Sequence, residues 1–489
     1  MTTALLWFRR DLRLADNQAL RTALAHGERV IPLYIDTPEA GGAGAATRWW
    51  LHHSLAALDE SLQQKGSRLL LRRGDALEVL RAVARESGAT AVYWNRVYEP
   101  AAIARDSVIK EALRADGLLV ASHNALLLNE PWQLLKADGT PYRVFTPYWN
   151  AAQKRGCDLA LHAAPAALPP VPASLRGEPL AALQLLPRIH WDSGLAAAWQ
   201  PGETGAAVRL AGFIDHAIAD YASARDRPGQ FGTARLSPHL HFGEISPQRL
   251  LAAVQQHLTV GRDAGLTQNG ESWLRQLAWR EFAHQLLYHF PHTVNEPLDT
   301  RFARFPWRRD YAEDLIAWQH GATGIPIVDA GMRELWHSGW MHNRVRLIVA
   351  SFLTKNLLIP WQEGARWFMD TLVDADLANN TLGWQWVAGC GADAAPYFRL
   401  FNPVSQGEKF DPHGDYVRRW VPELSGLADK YIHQPWAAPS VPADYPPPRV
   451  DLKTSRERAL AAYADIRNQP RRPSGSSGLM PALNGRRRS

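Results

Sequence analysis

ALLWF (4–8) and RVIPLYI (29–35) are two short apolar runs rich in strand-forming residues, about twenty residues apart. RLLLRR (68–73), AVYWN (91–95) and LLVASHNALLL (118–128) are further runs of the same kind. Helical patterns such as TRWWLHHSLAALDESLQQK (47–65) lie between them. This alternation predicts a parallel sheet covered by helices. No GxGxxG follows the first run, so the usual dinucleotide fingerprint is absent and any nucleotide is expected elsewhere in the chain. The first 130 residues are therefore expected to form a Rossmann-like α/β domain.

The pattern then changes. Residues 131–202 are expected to be a long connector lying over the surface, because proline clusters such as HAAPAALPPVPASL (162–175) forbid regular helix. From 203 to 467 the chain reads as almost entirely helical. ESWLRQLAWREFAHQLLYHF (271–290) and NRVRLIVASFLTKNLL (343–358) are the clearest segments. Residues 468–489, rich in Pro, Ser, Gly and Arg, are expected to be a disordered basic tail. No internal repeat is visible.

A chain of 489 residues is too long for one small core. Hydrophobic residues at 46% and charged residues at 21% are ordinary globular values. No apolar run reaches the length of a membrane span, and the N-terminus lacks a signal-peptide pattern. Cys157 and Cys390 stand far apart, so neither a disulfide framework nor a cysteine metal site is expected, and a reducing cytoplasm fits. Net charge is +6, but the last 22 residues hold five arginines and no acid. The body is thus near neutrality, at about +1, and a nucleic-acid site has to be a local patch. Twenty tryptophans, most of them after residue 270, are the compositional anomaly.

Three stretches carry chemistry. In TARLSPHLHFGEIS (233–246), hydroxyls and one arginine precede a helical run. That arrangement suits a phosphate, and it equally suits an ordinary Ser cap. In the segment that follows, Trp273, Gln276 and Arg280 recur at i, i+3 and i+7, a face able to stack a planar ligand and bond its edge, with Trp279 flanking it. Asn343, Arg346 and Leu347 repeat the logic. A buried Arg346 needs a carboxylate, which Asp374 or Asp376 can supply. Those aspartates open DADLANNTLGWQW (374–386), where acids, carboxamides and indoles crowd together.

TGIPIVDAGMREL (323–335) and NRVRLIVASFLTKNLLIPWQ (343–362) resemble two signature stretches of the DNA photolyase/cryptochrome family. WFRRDLRLADNQAL (7–20), TARLS, GWMHNR, DADLANNTLGWQW and APYFRLFNPVSQGEKFD (395–411) extend the resemblance in the expected order. Together they span roughly residues 3 to 467. The nearest branch looks like the microbial class I enzymes that repair cyclobutane pyrimidine dimers.

The resemblance implies an α/β antenna domain and an all-α domain holding one non-covalent, U-shaped FAD. It places Tyr221, Thr233, Ala234, Arg235, Leu236 and Ser237 at the FAD phosphates. Trp273, Gln276, Arg280, Arg346, Asp374, Ala375 and Asp376 belong to the implied FAD set, with Asp374 and Asp376 at the isoalloxazine edge, Arg346 beside Asp374, and Asn380 facing flavin N5. Trp384, Trp361 and Trp307 fall on the family's electron-transfer chain. Trp279 and Trp386 match the indoles that embrace a flipped-out lesion, and Asn343 matches the dimer-repair branch. Arg225, Arg280, Arg344, Arg399, Gln406 and Lys409 are expected to contact phosphate or the lesion strand. UV-damaged DNA is the implied partner, and a monomer without membrane attachment is expected.

Two residues depart from the dimer-repair pattern. Gln276 replaces a usual glutamate and cannot release a proton. Leu347 stands where many relatives carry methionine. Ala101 and Ala102 occupy places where folate-binding relatives offer polar side chains, so a second antenna chromophore, if bound, is expected to be a deazaflavin or a flavin. The alternatives carried forward are a cryptochrome-like blue-light receptor with the same cofactor and tryptophans, and a flavin-independent DNA-binding module.

Overall fold

The computed structural model describes residues 2–37, 43–157, 159–261, 263–394 and 398–468. The N-terminal sheet holds five parallel strands in the order β3-β2-β1-β4-β5. They are β1 (Thr3–Phe8), β2 (Arg29–Asp36), β3 (Leu70–Arg73), β4 (Ala91–Asn95) and β5 (Leu119–His123). β1 is buried along its whole length, as a central strand covered on both faces must be. Its two faces divide between two cores: Ala4, Leu6 and Phe8 on one side, Leu5 and Trp7 on the other.

The crossover helices are α1 (Gln18–His26), α2 (Ala45–Gln64), α3 (Ala76–Ser87) and α4 (Pro100–Ala115). Asn17 caps α1 by accepting from the Leu20 amide, and Asp75 caps α3 by accepting from that of Glu78. The fifth strand is shorter than its apolar run. It ends at His123, because the Asn124 side chain accepts from the amides of Leu126 (3.2 Å) and Leu127 (3.1 Å) and turns the chain. The expected strand over 118–128 is thus five residues followed by a turn.

The proline-rich stretch is more than a surface strap. Leu168, Val171 and Leu175 are buried against the sheet domain. Backbone bonds from Leu168 to Lys65 (2.7 Å) and from Glu178 to Leu71 (2.9 Å) fasten it there. Part of the expected connector is helical, as α5 (Phe145–Arg155).

The helical part that frames the site comprises α6 (Ser237–Phe242), α7 (Ala264–His289), α8 (Pro326–Ser338), α9 (Asn343–Ser351), α10 (Trp361–Thr371), α11 (Leu377–Ala388) and α12 (Pro403–Phe410). Its main core gathers Ile327, Val345, Val349, Phe352, Leu353, Trp361 and Trp384.

Buried polar groups lock the two halves together. Arg13, 1% exposed, donates to the carbonyls of Gly243 (2.8 Å) and Ala125 (2.8 Å). Glu203 accepts from the Leu14 amide and Glu281 from those of Leu128 and Asn129. The indole of Trp50 donates to Glu244 at 2.9 Å. Leaving any of these unpaired would cost about 1–3 kcal/mol or more, so the junction is specific.

Among the described residues no helix is long and apolar enough to cross a membrane, and no cluster of His, Cys, Asp or Glu has metal-ligand geometry.

Candidate cofactor and nucleic-acid site

Asp374 lies in the turn between α10 and α11 and is 8% exposed. Arg346 Nη2 donates to its two oxygens at 3.1 and 2.9 Å, and Ser237 Oγ donates at 2.6 Å. Arg346 also donates from Nε to the Met341 carbonyl at 2.8 Å. Of the two candidate carboxylates, Asp374 is therefore the one that pairs Arg346. Ser237 opens α6, but its hydroxyl bonds this carboxylate and makes no helix-cap hydrogen bond.

Asp376 plays a different part. Its Oδ1 accepts from the Asn379 amide at 2.9 Å and from Asn379 Nδ2 at 2.7 Å, capping α11. Its Oδ2 lies 3.5 Å from His284 Nε2, 3.9 Å from His241 Nδ1 and 3.9 Å from Arg10 Nη1. Burial alone would raise this carboxyl; the facing histidines nevertheless hold it well below the usual carboxylate range. Ala375, between the two aspartates, is buried. Asn380, one turn into α11, donates from Nδ2 to the Ala365 carbonyl of α10 at 2.9 Å.

Arg235 adopts a left-handed backbone with φ 49°. Its guanidinium lies 4.5 Å from the Trp340 ring and 5.2 Å from that of Phe231. Burial lowers its pKa, with Glu334 acting against that shift. Ala234 and Leu236 are buried beside it, and Thr233 is half-buried. Tyr221 and Trp273 pack on Phe213, with centroids at 5.8 and 5.4 Å, so these two aromatics belong to a core as well as to the implied site. Trp340 Nε1, His342 Nε2 and His241 Nδ1 are buried without a hydrogen-bond partner. Orphaned buried donors and acceptors beside an arginine and a paired carboxylate fit a polar, edge-bonding cofactor such as FAD.

The second feature is a basic cavity of about 420 Å³. Arg344, Arg399, Gln406 and Lys409 line it, joined by Asp226, Arg227, Phe401 and Phe410. Arg344 pairs with Asp226 at 2.9 Å, and its guanidinium lies 4.3 Å from the Phe410 ring. Lys409 lies 5.2 Å from that same ring. Arg225 lies 5.5 Å from Tyr221 and is not among the lining residues. Arg280 is engaged elsewhere: it donates to the Leu126 carbonyl at 2.8 Å and to Glu281 at 3.3 Å, across the domain junction. One helix connects the two features. On α9, Arg346 holds Asp374 while Arg344, two residues earlier, lines the cavity.

The remaining expected residues fall around these features. Asn343 is exposed at the start of α9, and Leu347 packs on the helical core. Gln276 is half-buried on α7 and reaches only the Ser272 carbonyl, at 3.4 Å. Trp279 is stacked on Phe145 of α5 at 3.8 Å and 5°, so one of its faces is already covered. Trp386 is half-buried and donates to the Asp393 carbonyl at 3.1 Å. Trp384 and Trp361 are buried, and Trp307 is half-buried. A methyl group at Gly364 would overlap the Trp384 ring, so that glycine is what lets α11 lie so close to α10. Sequence reasoning passed over Asp226, Phe410, Phe145 and Gly364. Only the arginine-rich setting of Asp226, in YASARDR, offered a signal.

A parallel sheet domain locked to a helical domain, with a buried carboxylate–arginine cluster beside a basic cavity, defines a two-domain protein with a polar site of a kind that suits a cofactor. Comparison with known proteins makes the class specific. The family described as "DNA photolyase" matches residues 4–172, and "FAD binding domain of DNA photolyase" matches 273–465. The deoxyribodipyrimidine photo-lyase of Agrobacterium fabrum is 49% identical over 474 residues, covering 95% of this chain and 98% of that protein. Cryptochrome-2 of Arabidopsis thaliana is 38% identical, over 95% of this chain and 79% of its own length. The crystal structure of a bacterial class III photolyase from Agrobacterium tumefaciens superimposes with a TM-score of 0.91 at 48% identity, covering 96% of this chain and 98% of that one. The chain belongs to the DNA photolyase/cryptochrome family, and its helical domain is the FAD-binding domain of that family. The expected class I affiliation is not what these likenesses favour, since the Agrobacterium structure is described as class III.

Proposed function

We propose that the protein is a deoxyribodipyrimidine photo-lyase that repairs cyclobutane pyrimidine dimers in UV-damaged DNA. We place it with the class that the Agrobacterium structure represents. The observation that carries this reading is the two-sided helix α9, with Arg346 on the buried carboxylate and Arg344 in the basic cavity. A cofactor edge and a nucleic-acid strand are thereby served by side chains two residues apart.

The helical domain would hold a reduced FAD, and the chemistry such a group would supply is light-driven, reversible one-electron donation to the lesion. The chain's own residues do the rest. Arg346 and Ser237 fix the Asp374 carboxylate so that it could accept from a flavin-edge N–H, and the facing His284 and His241 keep Asp376 ionised for the same task. Asn380, anchored on Ala365, offers a neutral carboxamide rather than a charge. Arg344, Arg399 and Lys409 neutralise backbone phosphates, which positions the strand without reading its sequence. The lesion must leave the stack to be reached. The Trp279 face turned away from Phe145 and the Trp386 indole are assigned as its apolar walls. Trp384, Trp361 and Trp307 are assigned as the relay that carries an oxidising equivalent outward. Ala101 and Ala102 lie on α4 and offer only methyl groups, so any antenna chromophore is assigned to other residues.

A blue-light receptor is the second reading, favoured by the likeness to Cryptochrome-2 and by Gln276 in place of an acid. Incubation with dimer-containing DNA separates the two. Repair restores thymine absorbance under blue light and not in the dark, whereas a receptor loaded with FAD restores none.

A further inference from the structure

A second cavity, of about 600 Å³, opens at another place on the helical domain and shares no residue with the first. Its wall carries Arg304, Arg308 and Arg309 together with Phe305, Trp307 and Tyr311, and no carboxylate lines it. Its aromatic floor is well fixed. The Phe305 and Trp307 rings lie 4.4 Å apart, and the Tyr311 hydroxyl donates to Glu363 at 3.0 Å. The Arg308 amide donates to the Leu358 carbonyl at 2.9 Å, and its guanidinium donates to Asp314 at 2.8 Å. Arg304 and Arg309 are exposed at the rim. A concavity of this size, basic at its edge and aromatic within, suits a small planar anion. Its half-buried indole is the one residue of the assigned relay that is not fully enclosed.

We propose that this cavity is the docking site for the external reductant that resets the relay, and that the reductant is a small anionic enediol of the ascorbate type. The inference rests on the proposed role of Trp307 as the outer end of that relay. One electron passes from the bound enediolate to the oxidised indole of Trp307. The indole returns to its neutral form, while the reductant becomes its own one-electron-oxidised radical and releases a proton to water. The arginines attract the anion and hold its ring beside the indole, and that attraction weakens with salt.

The test follows light-driven bleaching of the flavin absorbance in the FAD-loaded full chain, as a function of added ascorbate or of neutral dithiothreitol. With ascorbate the rate saturates, and its initial slope falls as salt is added. With dithiothreitol it rises without saturation and ignores salt. The double variant Arg304→Glu, Arg309→Glu reduces the ascorbate slope on the order of tenfold, because both steering charges are reversed, and leaves the dithiothreitol rate unchanged. Trp307→Phe slows bleaching with both reductants. If Trp307→Phe has this effect but the charge reversal changes neither slope, or changes both equally, the docking site is overturned and the relay stands. If Trp307→Phe leaves both rates as they were, the relay fails and the docking site falls with it.

Discussion

The buried carboxylate cluster and the basic cavity share one helix, α9, through Arg346 and Arg344, and obey opposite rules. In the cluster the permanent charges are paired: Arg346 against Asp374, and Arg10 against Glu99 with Asp376 3.9 Å away, while His284 and His241 face Asp376. Water is largely excluded there, so removing one partner strands the other. In the cavity, Arg227, Arg344, Arg399 and Lys409 face a single acid, Asp226, in contact with solvent. Charge in excess of its partners is of little use for stability and of much use for holding a polyanion. On the proposed reading, the first region keeps a cofactor and the second meets a partner that comes and goes.

That contrast breaks if substitutions in the two regions have the same consequences. Asp374→Ala is expected to have the largest effect. It leaves Arg346 unpaired and should cost about 3–5 kcal/mol, together with loss of bound FAD, as read by denaturant unfolding and by flavin content. Gly364→Ala comes next, at about 1–3 kcal/mol, because the added methyl has to displace the Trp384 ring. It should also slow light-driven flavin reduction more than its stability cost implies, measured against Trp384→Phe. Arg399→Ala should leave stability nearly unchanged. It should weaken binding to damaged DNA about tenfold and lower the salt slope by about one.

Lys355 sharpens the comparison from inside the protein. It is 1% exposed, donates to the Arg399 carbonyl and lies 4.1 Å from the Phe398 ring. Burial lowers its pKa to about 7, against 10.5 for the ordinary side chain. Between those values the unfolded chain binds the extra proton, so wild-type stability climbs as pH rises from about 7. The climb is at most about 1.4 kcal/mol per pH unit. Lys355→Met should abolish it, which urea midpoints across that range would check.

What could be read from the sequence follows from the range of the forces involved. Strands and helices rest on periodicity, a local property, and β1, β2 and β4 fall almost where their apolar runs lie. β5 stops short because one side chain, Asn124, turns the chain inside an apolar run. The crowding of acids, carboxamides and indoles in residues 374–386 stands out by composition, and the family resemblance then gives it a role. Spacing alone leaves Asp374 and Asp376 equally eligible to pair Arg346, and only the family resemblance points to Asp374; the pairing is made by a turn that brings Ser237 and α9 together from 137 and 28 residues away. WFRRDLRL proved to be a junction. Arg10 reaches Glu99 and Asp376, and Arg13 reaches Gly243, pairings that no local pattern announces. Arg280 is expected by spacing at the edge of a planar ligand and by resemblance at phosphate or the lesion strand, and the contact to the Leu126 carbonyl that it also makes has no local signal. The expected basic tail, apart from Asn468, lies outside the described residues.

The division of labour on α9 is tested most directly by measuring bound flavin and damaged-DNA affinity on the same preparations of Arg346→Gln and Arg344→Gln. The account predicts that Arg346→Gln purifies with little FAD, whereas Arg344→Gln keeps a full complement and binds damaged DNA about tenfold more weakly. Equal loss of flavin from both variants, or unaltered DNA binding by a flavin-loaded Arg344→Gln, would contradict it.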